Sequence, residues 1–209
     1  MHQTRKEATN KLPVRRKGTK YLARARSHLN DSVPVVIAVR DMLGLAIKSK
    51  EVKQMIYQKL LKINGKDVSD LRDSIKLFNL FEADRLYRLS LLPTGRFYFV
   101  PLSKKEDRLC KVIGKRLVNS GNIQLNLHDG TNVLSLKKDI FPGDSVYLDD
   151  GNKVQSHVPL EKGKEVFISS GKKKGMSGKV LSVEKGKISV KLSNGEEAAL
   201  SREVLFAVK

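Results

Sequence analysis

The chain has one cysteine, Cys110, and no tryptophan among its 209 residues. A lone thiol excludes an intramolecular disulfide and cannot build a zinc ribbon. It suits a reducing cytosol, and its expected place is that of a small buried apolar residue. Long hydrophobic runs are missing too. No window approaches the roughly 18 apolar residues of a spanning helix. The start, Met1 to Asn10, is polar and mixed in charge, unlike a signal peptide. Acids are scarce relative to bases: 41 Lys+Arg stand against 22 Asp+Glu, a net charge of +19. That excess favours a large polyanion as partner, nucleic acid ahead of an anionic membrane surface.

Catalytic signatures are also missing. His2, His28, His128 and His157 are scattered and form no dense metal-ligand set. No Gly-x-Ser-x-Gly elbow, Gly-x-Gly-x-x-Gly fingerprint or ATP loop occurs. His128-Asp129 has the composition of an acid–base pair, but it lies where a strand enters an Asp-Gly turn. Neighbouring strand residues point to opposite faces, so a structural or RNA-contacting histidine is expected. We therefore expect no catalytic residue, no metal and no cofactor, and a binding protein that is not an enzyme.

What is present begins with Gly171-Lys172-Lys173-Lys174-Gly175-Met176-Ser177-Gly178-Lys179. The apolar run Val166-Phe167-Ile168 precedes it, and alternation at Val180, Leu181 and Val183 follows. Two strands joined by a glycine-bounded turn are expected, with three cations at the tip and no acid between Gly171 and Lys179. Lysines beside exposed backbone N–H groups suit phosphate. The alternative is a solvated hairpin turn.

The basic charge is uneven. Residues 1–32 form an arm with Arg15, Arg16, Lys17, Arg24 and Arg26 among nine cations up to Leu29, against Glu7 alone. Its apolar periodicity is slight, so it is expected to be mobile or to order only on a partner. Such arms commonly bind nucleic acid; the alternative is a solubilising tail.

Ser32-Val33-Pro34 then reads as a helix start, and Val36, Ile37, Val39 and Leu43 follow helical spacing. Ser49 can cap a second helix with Val52, Met55 and Ile56 inward. Asn64-Gly65 is a strong hairpin turn. From Leu86 the period changes to two, with turns at Pro93-Thr94-Gly95, Asn119-Ser120-Gly121, Asp129-Gly130, Pro142-Gly143-Asp144 and Asp150-Gly151. Ser103 and Glu106 make a capping-box pattern for a short helix ending near Cys110. Further turns at Lys185-Gly186 and Asn194-Gly195 divide the last strands. The reading is a multi-domain α+β chain with segments 1–32, 33–84, 85–157 and 158–209. Tyr21, Tyr57 and Phe167 are candidate base-stacking residues, with core packing the expected fate of each.

Arg40-Asp41-Met42-Leu43-Gly44-Leu45-Ala46, Glu51-Val52-Lys53 and Ile63-Asn64-Gly65-Lys66 together resemble the S-four RNA-binding module. Segment 33–84 would then be a small αα-β-hairpin RNA-binding module, with Arg40, Lys48, Lys50, Lys53, Lys62 and Lys66 toward RNA. Arg40 has an alternative role as the salt-bridge partner of a nearby acid. Lys59 stands where many S-four modules have glycine, and Asn79-Leu80-Phe81 replaces the usual Asp-Val-Ile. Gly163 to Lys179 resembles a KOW motif, which implies a small C-terminal β barrel presenting Lys172, Lys173, Lys174 and Lys179. The order of basic arm, S-four module, β domain and KOW barrel is similar to the S-four-e type ribosomal proteins of archaea and eukaryotes. The central segment carries that likeness at Gly95-Arg96-Phe97, Leu109-Cys110-Lys111-Val112 and Leu127-His128-Asp129-Gly130, and the ending Leu205-Phe206-Ala207-Val208 shares it.

This resemblance implies a structural protein of the small ribosomal subunit, cytoplasmic and archaeal in type. Its partners would be 16S-type rRNA and neighbouring small-subunit proteins, with no membrane, and the free protein would be a monomer. The rivals are an RNA-modifying enzyme with a borrowed S-four module and a KOW-bearing transcription factor. Residues 86–155 look too small for the first and lack its Asp motif, and no polymerase-binding domain is visible for the second.

Overall fold

Alternation with period two governs most of the chain, and the computed structural model is accordingly mostly β with few helical turns. It describes residues 2–15, 17–118, 122–137, 139–184 and 186–209. Arg16, the turn Asn119-Ser120-Gly121 and Lys185 of the turn Lys185-Gly186 lie outside the described residues. The chain forms two units, 1–106 and 107–209.

In the first unit, β1 (His2–Thr4) pairs antiparallel with β2 (Tyr21–Ala23). β3 (Ser32–Pro34) leads into α1 (Val35–Ile37), which widens into a π turn over Ala38–Met42. α2 (Ser49–Tyr57) follows, then the hairpin of β4 (Lys62–Ile63) and β5 (Lys66–Asp67). β6 (Ser74–Lys76) returns to pair with β3. β7 (Leu80–Glu82), β8 (Leu86–Leu91) and β9 (Phe97–Leu102) complete a sheet of order β5-β4-β7-β8-β9. Val33, Ile37, Val39, Val52, Leu61, Ile75, Phe81 and Leu89 are wholly buried and form the core between helices and strands.

Three expectations are corrected here. Ser32-Val33-Pro34 is a strand, because Ser32 and Val33 pair with Lys76 and Ile75. Pro34 closes it in extended geometry and serves as the N-cap of α1. The arm is folded onto the unit. Leu12, Leu22 and Ala25 are buried, the Phe97 N–H donates to the Lys11 carbonyl at 2.8 Å, and the Arg26 N–H to the Arg72 carbonyl at 2.9 Å. Three apolar residues suffice because the unit supplies the rest of the core. The helix from Ser103 is absent: residues 103–107 carry no regular structure, and Cys110 lies in a strand. The Glu106 carboxylate that would close the capping box is bound instead by Arg88 at 2.9 Å. The change of period near residue 85 falls inside one sheet, since β7 pairs with β8.

The second unit contains two antiparallel five-stranded sheets. β10 (Arg108–Leu117), β11 (Ile123–Leu127), β12 (Asn132–Ser135), β13 (Ser145–Leu148) and β14 (Val154–Val158) run in the order β12-β11-β10-β13-β14. Their core holds Cys110, Val112, Leu125, Ile140 and Val146. β15 (Glu165–Ile168), β16 (Ser177–Val183), β17 (Ile188–Leu192), β18 (Glu197–Leu200) and β19 (Leu205–Val208) run β18-β17-β16-β15-β19 around Val166, Ile168, Val180, Val190 and Leu205. Gly178 is required where β16 meets β17, because a Cβ there would lie 2.5 Å from the Lys191 carbonyl oxygen. Cys110 is buried as expected, and burial pushes its thiol pKa up, which makes it inert.

Candidate nucleic-acid interface

α2 is positioned by Val52, which is wholly buried, and by Glu51. The Glu51 carboxylate accepts the N–H of Ile47 at 2.8 Å and of Lys48 at 3.2 Å. These bonds hold its pKa below the usual carboxylate range and satisfy donors at the helix start that have no intrahelical partner. With Val52 inward, Lys50, Lys53 and Tyr57 fall at spacings of three and four on the opposite face. Tyr57 is 89% exposed, so core packing is excluded for it. After the helix, Lys59 takes φ +57°. That is the left-handed conformation glycine commonly supplies at a helix end, so the lysine here holds a backbone geometry that favours glycine. Asn64 and Gly65, at φ +51° and +76°, make the expected tight turn. The register sets Lys62 opposite Asp67 and Lys66 opposite Ile63, so Lys62 and Lys66 point to opposite faces of the hairpin.

Arg40 takes the salt-bridge role. Its guanidinium spans both carboxylate oxygens of Asp41, at 3.0 and 2.7 Å, and donates to Ser49 Oγ at 3.2 Å. It thereby joins the π turn to the first residue of α2, close to Lys48 and Lys50.

Beside it lies a groove of about 560 Å³ between the arm and this helical segment. Arg5, Arg15, Lys17 and Arg40 contribute its cations, and Leu22 and Val36 its buried apolar wall. Arg5 shapes the arm. It donates to the Thr19 carbonyl at 2.8 Å, to Thr19 Oγ1 at 3.1 Å and to the Arg15 carbonyl. Those acceptors are neutral, so the charge of Arg5 is not cancelled. Tyr21 also lines the groove; it is 48% exposed and meets the His2 ring edge-on at 4.3 Å. Core packing is therefore excluded for Tyr21 as well. Arg24 is half-buried and Arg26 exposed, with Asp73 3.9 Å from the Arg26 guanidinium.

In the second unit, Gly171 and Gly175 adopt φ +90° and +76°, and the Gly175 N–H closes the loop on the Ile168 carbonyl at 2.7 Å. Lys172 is exposed and Lys174 half-exposed, while Lys173 pairs with Glu196. Lys179 is exposed on β16, between Glu165 of β15 and Lys191 of β17. Phe167 is half-buried, opposite Phe206 of β19.

His128 is structural. Its Nδ1 accepts the Lys111 N–H at 3.2 Å, and its ring meets Phe206 edge-on at 5.0 Å. Among the described residues, no group of three or more His, Cys, Asp or Glu can hold a metal ion, and no helix is long and apolar enough to cross a membrane.

Structure thus gathers Lys50, Lys53 and Tyr57 on one helix face, Arg15, Lys17 and Arg40 around one groove, and Lys172 to Lys174 on one loop. Charge counting overlooked Arg5 as the organiser of the groove, and nothing in local sequence pairs it with residues 15–19. Glu196 was overlooked too, although its turn lies where β17 must return beside the loop.

Comparison with known proteins gives this arrangement a lineage. The family model described as Ribosomal family S4e matches residues 83–153. A small ribosomal subunit protein eS4 from Methanocella arvoryzae is 30% identical over 190 residues, which is 88% of this chain and 81% of that protein. The chain belongs to the ribosomal S4e family. An eS4 protein from Methanococcus aeolicus matches at 29% identity across 99% of this chain and 93% of its own length. The crystal structure of the 30S ribosomal protein S4e from Thermoplasma acidophilum has the same fold, with a TM-score of 0.72 at 23% identity over 85% of this chain and 95% of that one. The mostly β architecture is therefore the S4e architecture.

Proposed function

We propose that this chain is a structural constituent of the small ribosomal subunit that binds 16S-type rRNA and has no enzymatic role. The observation that carries the reading, for a member of the S4e family, is a set of cations left without acid partners. Among the described residues, no acid pairs with Lys50, Lys53, Lys172 or Lys174. On a chain with net charge +19, such side chains are available to phosphates.

The reading divides the labour among the basic arm 1–32, an S-four-like αα-β-hairpin module 33–84, a central β domain 85–157 and a KOW-type barrel 158–209. Arg15, Arg16, Lys17, Arg24, Arg26, Lys48, Lys50, Lys53, Lys62, Lys66, Lys172, Lys174 and Lys179 supply the contacts, with Arg40 as a positioning residue and Lys173 held by Glu196. Each module alone binds weakly and with strong salt dependence, because phosphate contacts dominate. Linking them raises the effective concentration of the second and third contacts. Recognition rests on RNA shape and backbone. The free protein is a cytoplasmic monomer that joins neighbouring small-subunit proteins on the ribosome.

The test is co-sedimentation with small subunits and binding to 16S-type rRNA fragments across a salt series. Retention on the subunit through a high-salt wash, together with weak, salt-sensitive binding of isolated fragments, is the expected result. Binding of isolated rRNA fragments that does not change with salt, or no association with small subunits, overturns the reading.

A further inference from the structure

Beyond a general attraction for RNA, the groove between the arm and the π turn has the features of a site for one nucleotide. Its volume, about 560 Å³, lies in the range of ligand pockets and is too small for a duplex. Its chemistry is divided. Arg5, Arg15 and Lys17 gather cationic charge at the arm loop, and among the described residues no acid forms an ion pair with any of them. At the other end Arg40 and Asp41 neutralise one another and Ser49 offers a hydroxyl. Between them lie the buried Leu22 and Val36 and the half-exposed ring of Tyr21. A free phosphate or an acidic peptide needs the cations and has no use for the apolar wall. A nucleobase uses both, because every base has an apolar face and a phosphate one sugar away.

We propose that this groove captures a single unstacked nucleotide of single-stranded RNA, its base stacked on Tyr21 and its phosphate held by Arg5, Arg15 and Lys17. The proposal rests on the rRNA-binding reading above and deepens it. Lys20, whose ammonium lies 5.4 Å from the centre of the Tyr21 ring in the free protein, is displaced by the base toward the phosphate. Arg5 acts through its bonds to residues 15 and 19 as well as through its charge. Gly18, at φ +138° with any Cβ 3.0 Å from the Arg5 guanidinium, leaves room for that packing. Single-strand capture also fits the general pattern in which sequence-tolerant RNA contacts come from aromatic stacking inside a basic groove.

The experiment uses the full chain and a single-stranded hexaribonucleotide with 2-aminopurine at its centre, with the same hexamer in a duplex as control. Stacking on Tyr21 quenches the probe. Expected results are saturable quenching by the wild-type chain with the single strand and none with the duplex. Tyr21→Phe should quench as wild type does. Tyr21→Leu should lose the quench and weaken affinity by at least about fivefold, the low end for one stacked base. Lys17→Gln should weaken binding and reduce its salt slope by about 0.7.

Full competition by inorganic phosphate or by an acidic peptide at equal charge would show a site for charge alone and would overturn the proposal. So would undiminished quenching by Tyr21→Leu, or equal quenching with the duplex. Binding of 16S-type rRNA is measured on the same preparations. If wild type binds rRNA but does not quench the hexamer, the groove proposal falls and the ribosomal reading stands. If wild type binds neither, both fall.

Discussion

Glu196 holds Lys173, the middle lysine of the glycine-bounded loop, from the neighbouring hairpin. The Ser193 N–H anchors that hairpin to the Ser177 carbonyl at 3.1 Å. Hydrogen bonds from Lys173 and then Asn194 hold the Glu196 carboxyl below its usual range. The loop therefore presents Lys172 and Lys174 to a polyanion while Lys173 is engaged. Replacing Glu196 by Gln releases Lys173. The expected outcome is tighter rRNA binding at low salt, with a log–log salt slope steeper by about 0.7–0.9 if Lys173 takes up one phosphate. Alanine at all three lysines should flatten the slope instead. A slope that responds to neither change means the loop does not face RNA.

A second ion pair in the same unit is buried. Arg108 lies 3.1 Å from Asp129, and both side chains are shut from solvent. Burial pushes the Asp129 carboxyl up, but the Arg108 charge and the N–H and hydroxyl of Thr131 outweigh it and leave the pKa lowered. Arg108→Met strands a buried carboxylate and should cost roughly 3–5 kcal/mol in urea denaturation. Adding Asp129→Asn should recover much of that loss. Because the folded carboxyl titrates below its ordinary value of 3.8, its stabilisation is present above that pH and disappears as pH falls through the lowered value. Equal stability of Arg108→Met and wild type would mean the pair contributes nothing.

These two ion pairs mark the limit of what the sequence reveals. Asn64-Gly65 and the Gly171 and Gly175 turns were legible because turn geometry is set by adjacent residues. The inward Val52 and the buried Cys110 were legible from period and composition. Glu106 was misread because its partner, Arg88, lies 18 residues away, and a local capping pattern does not report a competing cation. The arm was misread because Leu12, Leu22 and Ala25 are too few for a core of their own, yet they complete one made by distant residues. Tyr57 was expected inside, but only the helix phase fixed by Val52 shows that it faces out. Among candidate cations, charge pointed to the right segments but could not separate engaged Arg40 and Lys173 from uncommitted Lys50 and Lys172.

Lys111 should leave a signature in alkaline solution. Its ammonium is buried, donates to the Arg202 and Glu203 carbonyls at 2.6 Å each, and lies 5.5 Å from the Phe206 ring centre. Burial lowers its pKa from 10.5 to about 8, with Glu203 opposing and Arg202 assisting. Between those values the unfolded chain binds more protons than the folded one, so this group makes stability rise with pH. Neutral lysine still has protons for both carbonyls. The stability of wild type relative to Lys111→Met should therefore increase from about pH 8 to pH 10.5, by at most about 3–4 kcal/mol. Parallel curves for the two proteins would show that Lys111 titrates normally.

The arm offers the sharpest contrast between composition and structure. Its charge predicts a mobile tail, whereas the fold pairs β1 with β2 and buries Leu12 and Leu22 at 4% and 6% exposure. Trypsin should then cut the free protein at the exposed Arg15, Lys17 and Lys20 and spare the half-buried Arg24. Leu22→Ala removes an anchor that should be worth about 2–5 kcal/mol locally. It should open Arg24 to cleavage while leaving the 107–209 unit intact. In the subunit, RNA bound along the groove should protect the 15–20 loop as well. Early cleavage at Arg24 in the wild-type chain would return the arm to a mobile tail. In that case the groove of Arg5, Tyr21 and Val36 would not exist in the free protein, and any nucleotide it holds would have to build the site as it binds.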